Sequence, residues 1–254
     1  MSSSISTLDE LLSSNTRSVG LTWRVVEAQN RISTAKLTDS AAEQTILEEL
    51  IEQSKPPLPA ECQHLHFLLS TPFRYGAPYP NGSRFRRSGF TLGVYYASEH
   101  PHTAIAELCF HRLLFFSESP NTKWPSDAGE YTAFAADYSA KSIDLTLPPL
   151  SSREEFWTHP TRYENCQMLA DFARAVEIDL IKYASVRDPP HRLNHAILRC
   201  RIFTNPKPTM PQTWRVLLGE NGARALCEMP RETVDFDRQA FEHDPRIASM
   251  RWVR

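Results

Sequence analysis

"GSRFRRSGFTLGVYYASEHPHTAIAELCFHRLLFF", residues 82–116, holds the elements on which the reading of this chain turns. A basic cluster, Arg84, Arg86 and Arg87, is followed by a short β-rich run, TLGVYYAS, and then by a segment that is apolar almost throughout. Pro101 suits the first turn of a helix, where its missing N–H costs nothing, and a helix to about Phe115 is predicted. Glu107 falls in the middle of it, with Thr103, Ala104, Phe110 and His111 as its neighbours three and four residues away. An unpaired buried carboxylate is costly, so this one must reach a partner, a cavity or solvent. Two readings stand. Glu107 forms a structural ion pair with Arg84, Arg86, Arg87 or Arg112, or it faces an arginine-lined pocket. Tyr95 and Tyr96 point to opposite faces of their strand, so only one of them can line that pocket.

Outward from this stretch, strands and helices do not alternate regularly. Strands are expected over 21–29, 130–138, 142–147, 178–190, 195–203 and 213–219. The clearest helix is 39–54, opened by a Ser40–Glu43 capping box and carrying Ile46, Leu47, Leu50 and Ile51 on one face, its acids on a solvated one. A second amphipathic helix, 163–176, turns Cys166, Leu169, Phe172 and Ala173 inward. The run 71–85 is rich in Pro, Gly and Asn and reads as irregular. The expected fold class is α+β, with mixed, largely antiparallel sheets and flanking helices. A Ser-rich flexible tail is expected over 1–16, and a single domain over 17–254 with its motif-bearing core at about 70–205.

Composition narrows the function. The chain has 28 Lys+Arg against 30 Asp+Glu, a formal charge of −2, which gives no global argument for direct nucleic-acid binding or for an anionic membrane. No apolar run reaches the roughly 18–20 residues that span a bilayer, and the N-terminus lacks the pattern of a secretory signal. Five scattered cysteines without a Cys-x-x-Cys point to buried thiols in a reducing cytoplasm rather than a disulfide framework. Neither a P-loop nor Gly-x-Gly-x-x-Gly occurs. The histidine pairs 64/66 and 100/102 lack an Asp or Cys companion at zinc spacing, so no metal site is expected. Arg187 and Asp188, ahead of two prolines, read as turn residues.

The opening stretch resembles the RES family, named for an Arg, a Glu and a Ser, whose members act as toxins of bacterial toxin–antitoxin pairs and consume NAD+. The likeness is carried by the Gly-Arg-aromatic turn in GSRF, the Tyr-Ala-Ser strand, the Ala-x-x-Glu helix and the segment YASVRDPPHRLNHAIL (183–198), in that order, and runs from about Trp23 to Phe203. The resemblance puts Glu107 in the place of the catalytic glutamate, Tyr96 in that of a ring-stacking tyrosine and Ser185 in that of the serine near the nicotinamide side. One family arginine falls in SRFRR, as Arg84 or Arg86, and an earlier one falls at Arg24 or Arg74.

The resemblance further implies an ADP-ribosyltransferase-like fold and cleavage of the nicotinamide–ribose bond. NAD+ is then a substrate rather than a recycled cofactor, with water or inorganic phosphate as acceptor, and Arg86, Arg87 and Arg187 are available to help hold a phosphate. The implied partner is an Xre-type helix-turn-helix antitoxin, a segment of which is expected to block the arginine-lined cleft. A homo-oligomer is left open. The alternatives are a catalytically silent interaction protein that keeps the RES shape, and a protein ADP-ribosyltransferase.

Overall fold

One long strand, β3 (Gly129–Asp144), organises the sheet. The structure, a computed structural model, describes residues 13–28, 37–74, 82–89 and 92–254. The sequence suggests two strands here, but Ser139-Ala140-Lys141 contains no Gly, Pro, Asn or Asp to force a turn, and the partner strand β1 (Thr16–Glu27) pairs straight through, from Thr16↔Ser142 to Glu27↔Tyr131. The other edge of β3 is shared. Its first half pairs antiparallel with β6 (Thr209–Gly219), with a register shift between Ala133 and Ala135, and its last residues pair parallel with β4 (Leu180–Ala184).

The fork gives the sheet two arms. In one, β4 pairs with β5 (Leu193–Ile197), β5 with β2 (Tyr95–Ser98), and Ser98 returns to Trp23 of β1. In the other, β6 continues to β7 (Gly222–Cys227) and β8 (Glu232–Asp237). Among the described strands β3–β4 is the parallel pair and the others are antiparallel, so the sheet is mixed and largely antiparallel. Strands β7 and β8 are not among those expected from the sequence; β8, ETVDFD, alternates Val234 and Phe236 with acids, whereas β7, GARALC, shows no strict alternation.

Of the helices, α1 (Ala41–Ser54) and the single turn α2 (Phe67–Ser70) precede β2. Helix α3 (Pro101–Glu118) follows it, with Pro101 in its first turn and the His100 side chain accepting from the His102 N–H. Ile105, Cys109, Phe110 and Leu113 of α3 pack with Trp214, Val216, Ala225 and Phe236 of the β6–β8 arm. At its C-terminal end the Arg254 guanidinium donates to the carbonyls of Phe116 and Ser119, adding a charged donor to acceptors that already take the Ser119 and Thr122 N–H groups. The short α4 (Glu154–Thr158) and α5 (Glu164–Ala175) cover Ile143, Ile181 and Ala196 on the closed arm. Tyr95 and Tyr96 part as their period requires. Tyr95 enters the cluster of Leu69, Phe73 and Phe203 on one face, and Tyr96 borders the α5 cluster on the other. A last turn, α6 (Pro245–Ala248), is capped by Asp244. No helix among the described residues is long and apolar enough to cross a membrane.

Two expectations need correcting. Helix α1 forms as read, with Ser40 Oγ accepting the Glu43 N–H, but it buries no residue. Ile46 and Leu50 are each 57% exposed. Amphipathic spacing says that a face could be buried, not that the fold leaves a surface to receive it. The cysteines are not all thiols either. Cys62 and Cys200, 138 residues apart, form a disulfide, while Cys109, Cys166 and Cys227 are buried and free. Nothing in their spacing shows that the turns at 60–62 and 200–202 meet beneath Tyr95. Residues 1–12 of the expected tail and residues 75–81 of the irregular run lie outside the described residues.

Ile46→Ser and Leu50→Ser are each expected to change the free energy of unfolding by less than about 1 kcal/mol. Ile105→Ala, which empties a fully buried position, should cost about 2–5 kcal/mol. Urea unfolding followed by circular dichroism compares them. Thiol titration of the unfolded, unreduced protein should count the three cysteines at 109, 166 and 227, and a count that includes Cys62 and Cys200 would remove the disulfide.

Candidate active site

Glu107 is half-buried on α3 and is met there by two strands of the closed arm. Its Oε1 accepts hydrogen bonds from Ser185 Oγ (2.7 Å) and Asn194 Nδ2 (2.6 Å). Ser185 follows the last residue of β4, and Asn194 lies on β5 opposite Tyr183. The Ser185 hydroxyl has one proton, and its oxygen already accepts the backbone N–H groups of Arg187 (3.2 Å) and Asp188 (3.0 Å). The proton is therefore directed at Glu107. The Asn194 amide is oriented in the same way, because its Oδ1 accepts from Ser98 Oγ at 2.6 Å. Both bonds fall on Oε1, and Oε2 takes neither.

The charge of Glu107 is set by its surroundings. Burial pushes the carboxyl up, but the Arg187 guanidinium, then His111, then the hydrogen bonds from Ser185 and Asn194 outweigh it and hold the group below the ordinary glutamate value. Arg187 is itself buried, over the Phe110 ring (4.6 Å), donating to Pro160 O (3.1 Å) and Tyr163 Oη (3.2 Å), with Asp244 at 3.9 Å. Burial pulls its pKa down, yet Glu107 and Tyr163 raise it further, so it stays cationic. Glu107 thus pairs with none of the four arginines nearest in sequence. Arg87 bonds Asp171 and Arg112 bonds Glu27, while Arg84 and Arg86 belong to the basic turn over 82–87.

That basic turn is built around Gly82, whose φ of +67° is left-handed and where a Cβ would lie 2.3 Å from the Arg86 carbonyl. Ser83 and Arg86 exchange backbone hydrogen bonds, and Gln167 of α5 donates to both their carbonyls. Tyr96 Oη accepts the Phe85 N–H (2.9 Å) and bonds Ser83 Oγ (2.8 Å), with burial pushing its hydroxyl up to about 12, so it stays a neutral phenol. Arg84 is buried, donates to Trp157 O at 2.5 Å and stacks 4.8 Å over the Tyr163 ring. Tyr163 therefore stands between Arg84 and Arg187. Arg86 is also buried, and burial lowers its pKa.

The earlier arginines separate. Arg24 donates to Tyr96 O at 2.8 Å and lies 4.8 Å over the Tyr95 ring, so its guanidinium sits on the Tyr95 face of the strand. Arg74 instead pairs with Glu52 of α1 at 2.6 Å, and lines a cavity of about 320 Å³ with Glu52, Lys55, Leu58, Phe67 and others. None of the residues lining that cavity belongs to the Glu107 cluster. The structure thus gathers Arg84, Arg86, Tyr96, Glu107 and Ser185 around one region, which Arg24 reaches only through the Tyr96 backbone carbonyl, and leaves Arg74 outside it.

Asn194, Tyr163 and Arg187 complete the cluster; the sequence assigns no role to Asn194 or Tyr163, and to Arg187 only a turn position and help in holding a phosphate. An amide inside the apolar run LNHAIL is a visible anomaly, but only the β4–β5 register and the approach of α3 give Asn194 its partner.

No curated protein matches the chain. Among solved structures, that of the M. tuberculosis MbcT–MbcA toxin–antitoxin complex is similar at 10% identity over 82% of this chain and 91% of that one, with a TM-score of 0.45, too distant to carry an argument. The family model of the RES domain matches residues 58–218, a span that includes Arg84, Tyr96, Glu107, Ser185 and Asn194. With well over half of its length inside that match, the chain belongs to the RES-domain family.

Proposed function

We propose that this protein cleaves the nicotinamide–ribose bond of NAD+ and passes ADP-ribose to water or inorganic phosphate. The observation that carries this reading is Glu107, a carboxylate kept ionised beside Arg187, with Oε1 fixed by Ser185 and Asn194 and its side chain still half open. When the bond between ribose C1′ and the ring nitrogen breaks, its electron pair goes to the nitrogen and neutral nicotinamide leaves without a general acid. The ribose is left as an oxocarbenium-like cation, which a fixed carboxylate stabilises. The acceptor oxygen then bonds to C1′ and releases its proton. Arg24, Arg84 and Arg86 are suited to the diphosphate, through guanidinium forks. The Tyr96 ring is suited to stacking on a flat heterocycle, and Ser185 holds the carboxylate in place. Metal ions have no step in this scheme.

RES-family membership supports a biological role as the toxin of a toxin–antitoxin pair, depleting NAD+ unless a helix-turn-helix antitoxin of the Xre type restrains it. A second reading, a RES-shaped interaction protein without turnover, draws on one observation: Arg84 and Tyr96 are both turned to internal partners. Purified protein incubated with NAD+, with and without phosphate, separates the two readings. Wild type should release nicotinamide, and Glu107→Gln should lose at least about 10²-fold in rate. No release by folded wild type would favour the interaction protein, and the ribose-containing product names the acceptor.

The pH profile has a definite sign. A glutamate held low keeps its charge as pH falls, so the acidic limb of kcat/KM should lie below the usual value of about 4.3. Asn194→Ala removes a donor to the charged form, and the limb should move upward. A limb at or above the usual value in the wild type would contradict the assignment to Glu107.

A further inference from the structure

The turn after Ser185 contains a buried carboxylate that the reaction leaves without a task. Asp188 is 1% exposed, although RDPPH reads as an ordinary surface turn. Its Oδ2 accepts from Thr103 Oγ1 (2.8 Å) and Arg192 Nε (2.7 Å), and its Oδ1 from Arg192 Nη2 (2.8 Å). Thr103 is itself fully buried and lies one turn ahead of Glu107 on α3. Arg192 ties off the other end of the turn, because its backbone carbonyl accepts the Ser185 N–H at 3.0 Å, and His191 Nδ1 lies 2.8 Å from Ser185 O. Burying a carboxylate and a hydroxyl together is unfavourable unless the pair is made. The fold therefore holds this turn to this helix at one defined point.

We propose that Asp188 is a positioning residue: its carboxylate latches the 185–192 turn onto α3 through Thr103, while its backbone N–H, with that of Arg187, aims the Ser185 proton at Glu107. The latch and the Ser185–Glu107 bond close a ring of contacts. Thr103 and Glu107 are joined by one turn of helix, Glu107 is joined to Ser185 by a hydrogen bond, Ser185 to Asp188 by the backbone N–H, and Asp188 to Thr103 by its carboxylate. Opening the ring at Thr103 frees the turn to move relative to α3, and the first bond to suffer is the one that fixes Oε1. The kinetic consequence rests on the NAD+-cleaving reading, but the geometric one does not.

Thr103→Val removes the hydroxyl at nearly constant shape, Thr103→Ser keeps it, and Asp188→Asn weakens the latch from the other side. Each is measured for kcat and KM with NAD+. Each is also measured for the titration of the Glu107 carboxyl by carbon NMR of labelled glutamate, assigned with Glu107→Gln. Thr103→Val is expected to fold, to lose about tenfold in kcat with KM within about twofold, because misplacing a held group costs rate rather than ground-state binding. Its Glu107 titration should move upward as the Ser185 donor is lost, and Thr103→Ser should restore both quantities. If Thr103→Val loses thermal stability but keeps wild-type kcat and Glu107 titration, Asp188 is only a structural tie and the proposal is overturned. Should Asp188→Asn fail to fold, Thr103→Val alone decides. Should wild type release no nicotinamide, the proposed function fails, while the Glu107 titration in Thr103→Val still decides for or against the latch.

Discussion

A single hydrogen bond of 2.7 Å, from the Ser185 hydroxyl to the Glu107 carboxylate, is the interaction around which the site is arranged. It requires a helix and a strand end to meet at a fixed height, and most of the fold serves that meeting. The parallel pairing of β4 with the end of β3 sets where the strand stops, and the turn from Ser185 to Arg192 then doubles back as β5. Asn194 arrives beside Ser185 as a consequence of that register, so two donors from neighbouring strands reach one oxygen.

The energetic problem is a carboxylate in apolar surroundings, where desolvation favours the neutral acid. The fold opposes this with a buried cation, Arg187, which would be equally unfavourable alone and which Tyr163, Pro160, the Phe110 face and Asp244 hold in place. Glu107 and Arg187 each favour the charged state of the other without a direct contact that would consume the free oxygen. A tight ion pair with one of the nearby arginines would have been simpler and would have blocked the carboxylate. Those arginines are instead taken up elsewhere, Arg87 by Asp171, Arg112 by Glu27 and Arg84 by Trp157 O.

The second constraint is the forked strand β3. Because β1 pairs along it without interruption, both arms of the sheet share one rigid edge, and α3 packs its buried face on the β6–β8 arm while Glu107 reaches the closed arm. The basic turn is joined to this frame from two sides, by Tyr96 of β2 and Gln167 of α5. The helix α1 takes no part in it. It precedes the residues matched by the family and leaves its apolar face uncovered.

Local physics in the sequence determined a good deal. Pro101 opened α3, the capping box opened α1, the period of two parted Tyr95 from Tyr96, and a glutamate stranded among apolar residues marked itself as needing partners. A family resemblance singled out Ser185 and the Gly82 turn. What the sequence could not supply was the identity of those partners. Arg187 lies 80 positions from Glu107 and reads as a turn residue, Asn194 falls just ahead of the strand expected over 195–203, and Arg74 is as good a candidate as Arg24 until the chain places it beside Glu52. The joining of Cys62 to Cys200 and the exposure of Ile46 and Leu50 were hidden for the same reason. Propensity, capping and period act over a few residues and are written in the chain. Which buried charge meets which donor is settled by strand register and helix approach, and these bring together groups that the sequence keeps far apart.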